Sequence, residues 1–208
     1  MHLMSLLLLA QSFPLQTTDS LVPHKTKITP VVYRDLKSIR VTGDGDQNLV
    51  VISGTEFSNG SIEVEMSGAP GAGASATARG FVGVAFRVTG DASRFEAFYL
   101  RPTNGRAEDQ VRRNHSAQYI STPEFPWERL RKEFPEKYES YVDLEPGAWT
   151  KVRVEVDGVK ARLFVHGNSQ PTLIVNDLRM GQAKGAVALW LGPGTEAHFR
   201  NLKITRRD

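Results

Sequence analysis

The fold class follows from one stretch of sequence, TKVRVEVDGVKARLFVHG at residues 150–167. Val152, Val154 and Val156 alternate with charged residues, and Asp157-Gly158 predicts a two-residue hairpin turn. The predicted register pairs Val156 with Val159, Val154 with Ala161, Val152 with Leu163 and Glu155 with Lys160. One face of this hairpin is apolar and the other is charged, which is typical of a half-buried antiparallel sheet.

Similar strand patterns recur along the chain between polar or glycine-rich turns. The clearest are SIEVEMS at 61–67, PTLIVNDL at 171–178, GAVALWLG at 185–192 and AHFRNLKIT at 197–205, with shorter ones in PVVYRD, SIRVT and NLVVIS. In AHFRNLKIT the apolar positions change parity, so a β-bulge near Asn201 is expected to keep one buried face. The sequence therefore predicts an all-β protein, a two-sheet antiparallel β-sandwich of the jelly-roll kind.

Length and composition limit the function classes. The 208 residues fit one domain, predicted over residues 13–208, with a substantial core. The net charge is only +3 and the charges are interspersed, which does not indicate a nucleic-acid partner. The absence of cysteine excludes disulfides, thiolate metal sites and cysteine nucleophiles.

The N-terminus predicts export. Leu3–Ala10 is an apolar run too short to span a bilayer, and Ala10-Gln11-Ser12 is a small-x-small pattern that a signal peptidase accepts. We therefore expect a signal peptide at residues 1–12 and a secreted or periplasmic mature protein. The alternative is a first strand or a disordered start. No later segment is apolar and long enough to predict a membrane span.

Two segments interrupt the strand pattern. The glycine- and alanine-rich segment Gly68–Gly80 predicts a flexible connector. Residues 103–147 are too long for a hairpin turn and rich in aromatic residues, which predicts an inserted, ordered loop packed over part of a sheet. Pro126 is expected to open a short helix in that loop, and Pro135 to end it.

The hairpin GFVGVAFRVTGDASRFEAFYLRP at residues 80–102 carries the candidate binding site. A four-residue loop, Gly90–Ser93, pairs Val88 with Phe95 and sets Arg87 opposite Glu96, on the face away from Phe86. That face is otherwise apolar with small residues, so it predicts a concave ligand surface. The alternative is a structural ion pair covered by the long loop.

Other candidate site residues come from the long loop and from a later strand. His115 and Tyr119 lie near Arg101, Arg112 and Arg113 in sequence, as a polysaccharide lyase would need to neutralise a uronate and move protons. The favoured alternative is a loop whose tyrosine packs against the protein and whose arginines are solvated. The rings of Trp127 and Trp190 suit stacking on sugars. The predicted ligand-binding residues are thus Arg87, Glu96, Arg101, Tyr119, Trp127 and Trp190, and the catalytic candidates are Glu96, His115 and Tyr119.

Metal binding and carboxylate catalysis have little support in the sequence. The five histidines are scattered, so no metal site is predicted and no cofactor is expected. Glu63 and Glu65 alternate on one strand face as glucanase carboxylates do, but the following carboxylate of that pattern is missing. A solvated strand face is the favoured alternative.

Several motifs together resemble the concanavalin A-like lectin/glucanase superfamily, over roughly residues 57–205. They are Phe86-Arg87 at a strand end, Glu96 within the next strand, Gly147-Ala148-Trp149 before a valine-rich strand, and Phe199-Arg200-Asn201 before the last strand. Within it, the sequence is most similar to laminin G-like modules and the 3-keto-disaccharide hydrolase domain family. The resemblance implies a lectin-like sandwich and allows a structural calcium held by carbonyls and carboxylates.

Three functions fit these features. The first is a carbohydrate-binding protein that holds an oligo- or polysaccharide on its concave sheet face. The second is a glycan-active enzyme, a glycoside hydrolase or polysaccharide lyase, that uses the same face. The third is a protein-interaction module of laminin G type. The oligomeric state stays open.

Overall fold

The chain folds as two antiparallel sheets, seen in a computed structural model that describes residues 8–43 and 45–207. The described residues form the strands β1 (Leu8–Phe13), β2 (Leu21–His24), β3 (Thr26–Tyr33), β4 (Leu36–Gly43), β5 (Asn48–Phe57), β6 (Gly60–Pro70), β7 (Val82–Val88), β8 (Phe95–Leu100), β9 (Ala117–Thr122), β10 (Glu139–Ser140), β11 (Thr150–Asp157), β12 (Lys160–Val165), β13 (Leu173–Val175), β14 (Gly185–Leu191) and β15 (Thr195–Arg207). Two short helices are α1 (Gln110–Asn114) and α2 (Trp127–Glu133).

The strand order confirms the predicted sandwich. One sheet runs β13-β12-β11-β6-β15-β4-β3, with β1 added beside β15. The other sheet, of seven strands, runs β10-β9-β8-β7-β14-β5-β2. Every strand pair among the described residues is antiparallel, and most neighbours are distant in sequence, so the fold depends on long-range pairing rather than on local hairpins.

The core lies between the two sheets and follows the alternation predicted for the eight-stranded sheet. In β6 the side chains of Ile62, Val64 and Met66 are buried, as the pattern SIEVEMS predicts. In β15 the register shifts between Arg200 and Lys203, which confirms the bulge expected near Asn201. The shift leaves Phe199, Leu202 and Ile204 buried on one face despite their change of parity.

The β11–β12 hairpin keeps its predicted faces but not its predicted register. Val156 pairs with Ala161 and Val154 with Leu163, so each pairing is two residues from the expected one. The closing pair is Asp157 with Lys160, and the turn is Gly158-Val159 because Gly158 takes the positive φ of 58°. A slip of two residues preserves strand parity, so the strand residues predicted to be buried remain buried, whereas Val159 moves into the turn and is 38% exposed.

The segment 103–147 is more structured than an inserted loop. Its residues Ala117–Thr122 form β9, which pairs with β8 along six residues and extends the seven-stranded sheet. The predicted helix is α2, which begins after Pro126 and ends at Glu133, and α1 was not predicted. The loop prediction for 117–122 was therefore wrong, because this short strand is buried on both faces and its apolar and polar residues do not alternate in a way that would reveal it.

The structure describes only the second part of the predicted signal peptide at residues 1–12. Residues 1–7 lie outside the described residues, and Leu8–Phe13 form β1, paired with β15 from Arg207 to Leu202. The signal peptide and the exported location stay predictions. No helix among the described residues is long and apolar enough to cross a membrane.

Candidate functional site

A groove lies on the outer face of the seven-stranded sheet, the face turned away from the core. On this face β7 carries the small residues Gly83 and Ala85, and Gly83 lies directly opposite Tyr99 of β8. A Cβ atom on Gly83 would lie 2.6 Å from the Cβ atom of Tyr99, so this close approach requires glycine. The ring of Trp190 lies 4.5 Å from that of Tyr99, on the same face.

Three adjoining cavities form this outer groove, and all three share Phe81 and Trp127. Their volumes are about 760, 600 and 310 Å³. The largest extends beyond the seven-stranded sheet to β4 and β15 of the other sheet, where Arg40 and Glu196 line it. The largest is walled by the glycine-rich loop that includes residues 71–75, so this segment is more than a passive connector. Trp127 begins α2 at the rim and is 38% exposed, whereas Trp190 is almost fully covered and donates a hydrogen bond to Gln47.

A cluster of charged residues, Arg101, His115, Arg131 and Glu139, lies at one end of the outer groove. Glu139 is buried, and its carboxylate is paired with the guanidinium groups of Arg131 and Arg101. Nδ1 of His115 lies 2.8 Å from Oε2 of the same carboxylate. The cluster therefore joins one buried acid to two cations and an imidazole, a set that can hold a ligand or move a proton.

Arg101 organises this cluster from below. Its guanidinium donates to the hydroxyl of Tyr99 at 2.7 Å and to the amide oxygen of Gln118 at 3.1 Å. It also donates to the carbonyl of His115 at 3.0 Å. Because these bonds use most of its donors, Arg101 positions its neighbours and has little capacity left for a ligand.

His115 faces the cavity of about 600 Å³ and is only partly buried. Burial is the main cause that lowers the pKa of its imidazole, while the charge of Glu139 opposes that shift. A neutral imidazole with Nδ1 beside a carboxylate can accept a proton at Nε2. His115 therefore lines the outer groove, and its catalytic role stays a prediction.

The predicted pairing of Arg87 with Glu96 is wrong by one residue. Glu96 pairs with Phe86 rather than with Arg87, so its side chain lies on the Phe86 face, towards the core. Arg87 has a positive φ of 54° and forms a bulge next to β14, where the register also shifts. An odd slip exchanges the faces of β8, which moves this pair from the outer surface to the space between the sheets.

The side chains of Arg87 and Glu96 are both 0% exposed and are bonded to protein groups. Arg87 donates to Glu96 at 3.0 Å and to the carbonyls of Gly181, Ser58 and Gly158. Glu96 also accepts from the backbone N–H of Met180. These bonds tie turns of both sheets together, so neither residue is available to contact a ligand or serve as a catalyst.

Tyr119 also lies inside the sandwich. Its hydroxyl donates to Glu96 at 2.5 Å and accepts from the backbone N–H of Arg179 at 2.8 Å. Burial, followed by the charge of Glu96, raises the pKa of this phenol. The predicted His115–Tyr119 partnership is therefore wrong, because β9 carries Tyr119 on its inner face while His115 opens into the outer cavity.

Of the predicted ligand residues, Arg101, Trp127 and Trp190 lie in the outer groove. The sequence did not single out Phe81, Arg79, Arg131 or Glu139, which join them there. Glu139 sits on the two-residue strand β10, which is too short to show any periodicity. Its only sequence signal is its place in the aromatic segment that contains His115.

No group of three or more histidines or carboxylates that could hold a metal is found in residues 8–43 and 45–207.

Comparison with solved structures places this fold among carbohydrate-related proteins. A carbohydrate-binding module (CBM66) of Bacillus subtilis superposes with a TM-score of 0.63 at 12% identity, covering 89% of this chain and 95% of that one. A putative glycosyl hydrolase of Parabacteroides distasonis gives 0.54 at 12% identity, covering 94% and 99%. Basic winged bean lectin, solved with Tn-antigen, gives 0.54 at 9% identity, covering 95% and 98%.

These likenesses confirm the concanavalin A-like lectin/glucanase fold. A sequence search of curated proteins found no match. The family model described as the 3-keto-alpha-glucoside-1,2-lyase-like domain matches residues 25–205. The chain therefore belongs to the 3-keto-disaccharide hydrolase family, as its sequence motifs predicted.

Proposed function

We propose that this protein binds a glycan in the outer groove of the seven-stranded sheet. The observation that carries the proposal is the position of Trp127. This exposed indole lines both the cavity of about 760 Å³ and that of about 600 Å³, and the second cavity also contains Arg101 of the charged cluster. A sugar-binding site combines an aromatic ring, on which the sugar packs, with polar groups held in fixed positions.

The indole of Trp127 is supported by neighbouring cations. The guanidinium carbon of Arg131 lies 4.6 Å from the ring centroid and that of Arg101 lies 5.7 Å away. These cation–π contacts hold the ring in place before a ligand arrives, which reduces the entropy cost of binding. Sugar CH groups pack on the ring while hydroxyls reach the polar cluster below it.

The relatives support the same proposal at a coarser level. The fold is shared with a carbohydrate-binding module and with a lectin solved with a sugar antigen. The third hypothesis, a laminin G-like interaction module, would suit a flat, closed outer face with Arg87 and Glu96 buried. The two residues are buried, but the outer face carries cavities of about 760 and 600 Å³, which favours a glycan over a protein partner.

The test compares two truncations of exposed apolar residues on opposite sheets. Purified wild-type protein, Trp127→Ala and Ile174→Ala are screened on a glycan array and titrated with the best binder. Ile174 is 47% exposed on β13 and is the matched control. We expect Trp127→Ala to weaken binding by roughly 10-fold, about 1.4 kcal/mol, with the control unchanged. Equal affinity of both variants would contradict the proposal.

A second candidate function is a glycan-cleaving enzyme in the same groove. The specific observation is His115, whose Nδ1 lies 2.8 Å from a buried carboxylate while the residue lines a cavity. In this arrangement His115 would accept or deliver a proton at Nε2, and Glu139 would orient the imidazole. Product analysis by mass spectrometry separates the two functions: cleavage products that disappear in His115→Gln favour the enzyme.

We also propose that the protein acts outside the cytoplasm, as a secreted or periplasmic protein. The support is the N-terminal sequence pattern, and the glycan ligand is consistent with it. N-terminal sequencing of protein isolated from its native host tests this. A mature chain that begins near Phe13 is expected, whereas an intact Met1 on the folded product would contradict it.

A further inference from the structure

Four arginines line the cavity of about 600 Å³ in the outer groove, which we call the arginine cavity. They are Arg79, Arg101, Arg112 and Arg131, and they come from the loop before β7, the end of β8, α1 and α2. Such convergence of cations from four separate elements is expensive unless negative charge compensates it. The carboxylates that the protein places beside these arginines therefore decide how much positive charge the cavity keeps.

Among the described residues, two of the four arginines have a carboxylate partner. Arg101 and Arg131 share the carboxylate of Glu139. Among residues 8–43 and 45–207, neither Arg79 nor Arg112 forms a salt bridge. Asp109 also lines the cavity, but its carboxylate accepts from the backbone N–H of Arg112 as the cap of α1. The cavity therefore keeps an excess of positive charge.

Arg79 and Arg112 also have guanidinium donors that no described protein group accepts from. Arg79 uses Nη1 alone, on the carbonyls of Ala76 and Ala78. Arg112 uses Nε and Nη2, on Asn104 and Thr103. Within the described part of the chain, Nη2 of Arg79 and Nη1 of Arg112 thus have no protein acceptor, and both residues are only partly buried.

The guanidinium groups are close enough for the charge of one to lower the pKa of another. The pKa of the Arg79 guanidinium lies below its ordinary value, chiefly because of burial and then because of the charges of Arg112 and Arg101. An anion bound between these groups would relieve that repulsion and accept their unused N–H donors. Guanidinium groups bind carboxylate and sulfate oxygens with charge-assisted hydrogen bonds, often two at a time.

We propose that the arginine cavity binds the anionic group of an acidic sugar, either the carboxylate of a uronic acid or a sulfate ester. This inference rests on the proposed glycan-binding function and specifies its ligand class. The anion belongs to a sugar because the arginine cavity continues, through Phe81 and Trp127, into the rest of the groove. One ring would place its acid between Arg79 and Arg112, and the neighbouring ring would meet Trp127.

The experiment uses pairs of probes that differ only in charge. The first pair is a tetramer of galacturonic acid and its fully methyl-esterified form; the second is a sulfated galactose oligomer and its desulfated form. Each is titrated against wild-type protein, Arg79→Gln, Arg112→Gln and the control Arg162→Gln. Arg162 is exposed on β12 of the opposite sheet and forms no ion pair among the described residues, so the control removes the same charge elsewhere.

The acidic form of at least one pair should bind, and its neutral form should bind about 10-fold to 100-fold more weakly. Arg79→Gln and Arg112→Gln should lower affinity for the acidic probe to a similar degree without changing that for the neutral one, while Arg162→Gln changes neither. Melting curves confirm that each variant is folded. If Arg112→Gln does not fold, Arg79→Gln alone carries the test, because the hydrogen bonds of the Arg79 side chain among the described residues go to carbonyls of its own loop.

Three results would overturn the inference, and they differ in what they say of the glycan site. If neutral glycans bind as well as acidic ones, the arginine cavity does not select an anion but the proposed glycan-binding function stands. If neither the charged probes, their neutral forms nor the glycan array shows binding, both proposals fail. Binding of the acidic probes that survives equally in both arginine variants would place the anion outside this cavity.

Discussion

The seven-stranded sheet carries one arginine–carboxylate cluster on each face, and the two clusters differ in whether a ligand can reach them. On the inner face, Arg87 and Glu96 are fully buried and bonded to carbonyls, a backbone N–H and a tyrosine hydroxyl. On the outer face, Glu139 is equally buried, but its partner Arg131 is 34% exposed in its side chain and His115 opens into a cavity.

The comparison shows that burial of charge does not by itself mark a functional site. The inner cluster closes on the protein, so it can only hold turns of the two sheets together. The outer cluster is fixed from below by Arg101 and open above, so the same chemistry is available to a ligand. Stability and binding should therefore respond differently to changes in the two clusters.

Removal of Arg87 should have the largest effect on stability. In Arg87→Ala the buried carboxylate of Glu96 keeps two hydrogen bonds but loses its counter-charge, which should lower the free energy of unfolding by about 3–5 kcal/mol. Denaturant unfolding measures this change, with Arg162→Gln as a control expected to stay within about 0.5 kcal/mol of wild type. Glycan affinity of the folded fraction should be unchanged. A loss of affinity without loss of stability would reverse the roles of the two clusters.

Substitution of Glu139 should affect both properties at once. Glu139→Gln leaves Arg101 and Arg131 without their shared counter-charge, so we expect a loss of about 1.5–3 kcal/mol in the free energy of unfolding. It also frees the ring of His115 to turn, so glycan affinity should change as well. Denaturant unfolding and glycan titration on the same preparation check both. A variant that loses stability alone would show the outer cluster to be as purely structural as the inner one.

The pH dependence of stability should give the smallest effect. The pKa values of His115 and His198 are both lowered in the folded protein, mainly by burial. The unfolded chain therefore takes up protons first, and stability should fall as pH decreases from the ordinary histidine pKa of about 6.5 towards the lowered values. Unfolding curves at about pH 7.5 and 5.5 measure this loss, and His115→Gln should reduce but not abolish it. Stability that rises on acidification would contradict these shifts.

The two hairpins show how far the sequence could predict this molecule. In β11–β12 the register was wrong by two residues, and the buried and exposed faces were still correct. In β7–β8 it was wrong by one, which exchanged the faces and moved Glu96 from a predicted binding surface into the core. The cause is the left-handed conformation of Arg87, which no local sequence pattern demands.

The residues of the candidate site fall into two groups, those that the sequence singled out and those that it missed. Trp127, Trp190 and Arg101 were predicted from residue type and position, and they lie in the outer groove irrespective of the β7–β8 register. Glu139 and Phe81 were missed because their role depends on strand pairings that bring distant segments together. Residue chemistry was thus predictable, whereas the partners of each residue required the three-dimensional structure.

The central claim is that a glycan occupies the outer groove, and the three tryptophans of the chain test it directly. In ¹⁵N-labelled protein each indole N–H gives one signal, which substitution by phenylalanine assigns. Trp127 and Trp190 line the groove, whereas Trp149 contacts Tyr33 on the eight-stranded sheet and is an internal control. Titration with the best binder of the glycan array should shift the Trp127 and Trp190 signals and leave the Trp149 signal in place. A shift of the Trp149 signal alone, or saturable binding that moves neither groove signal, would contradict the claim.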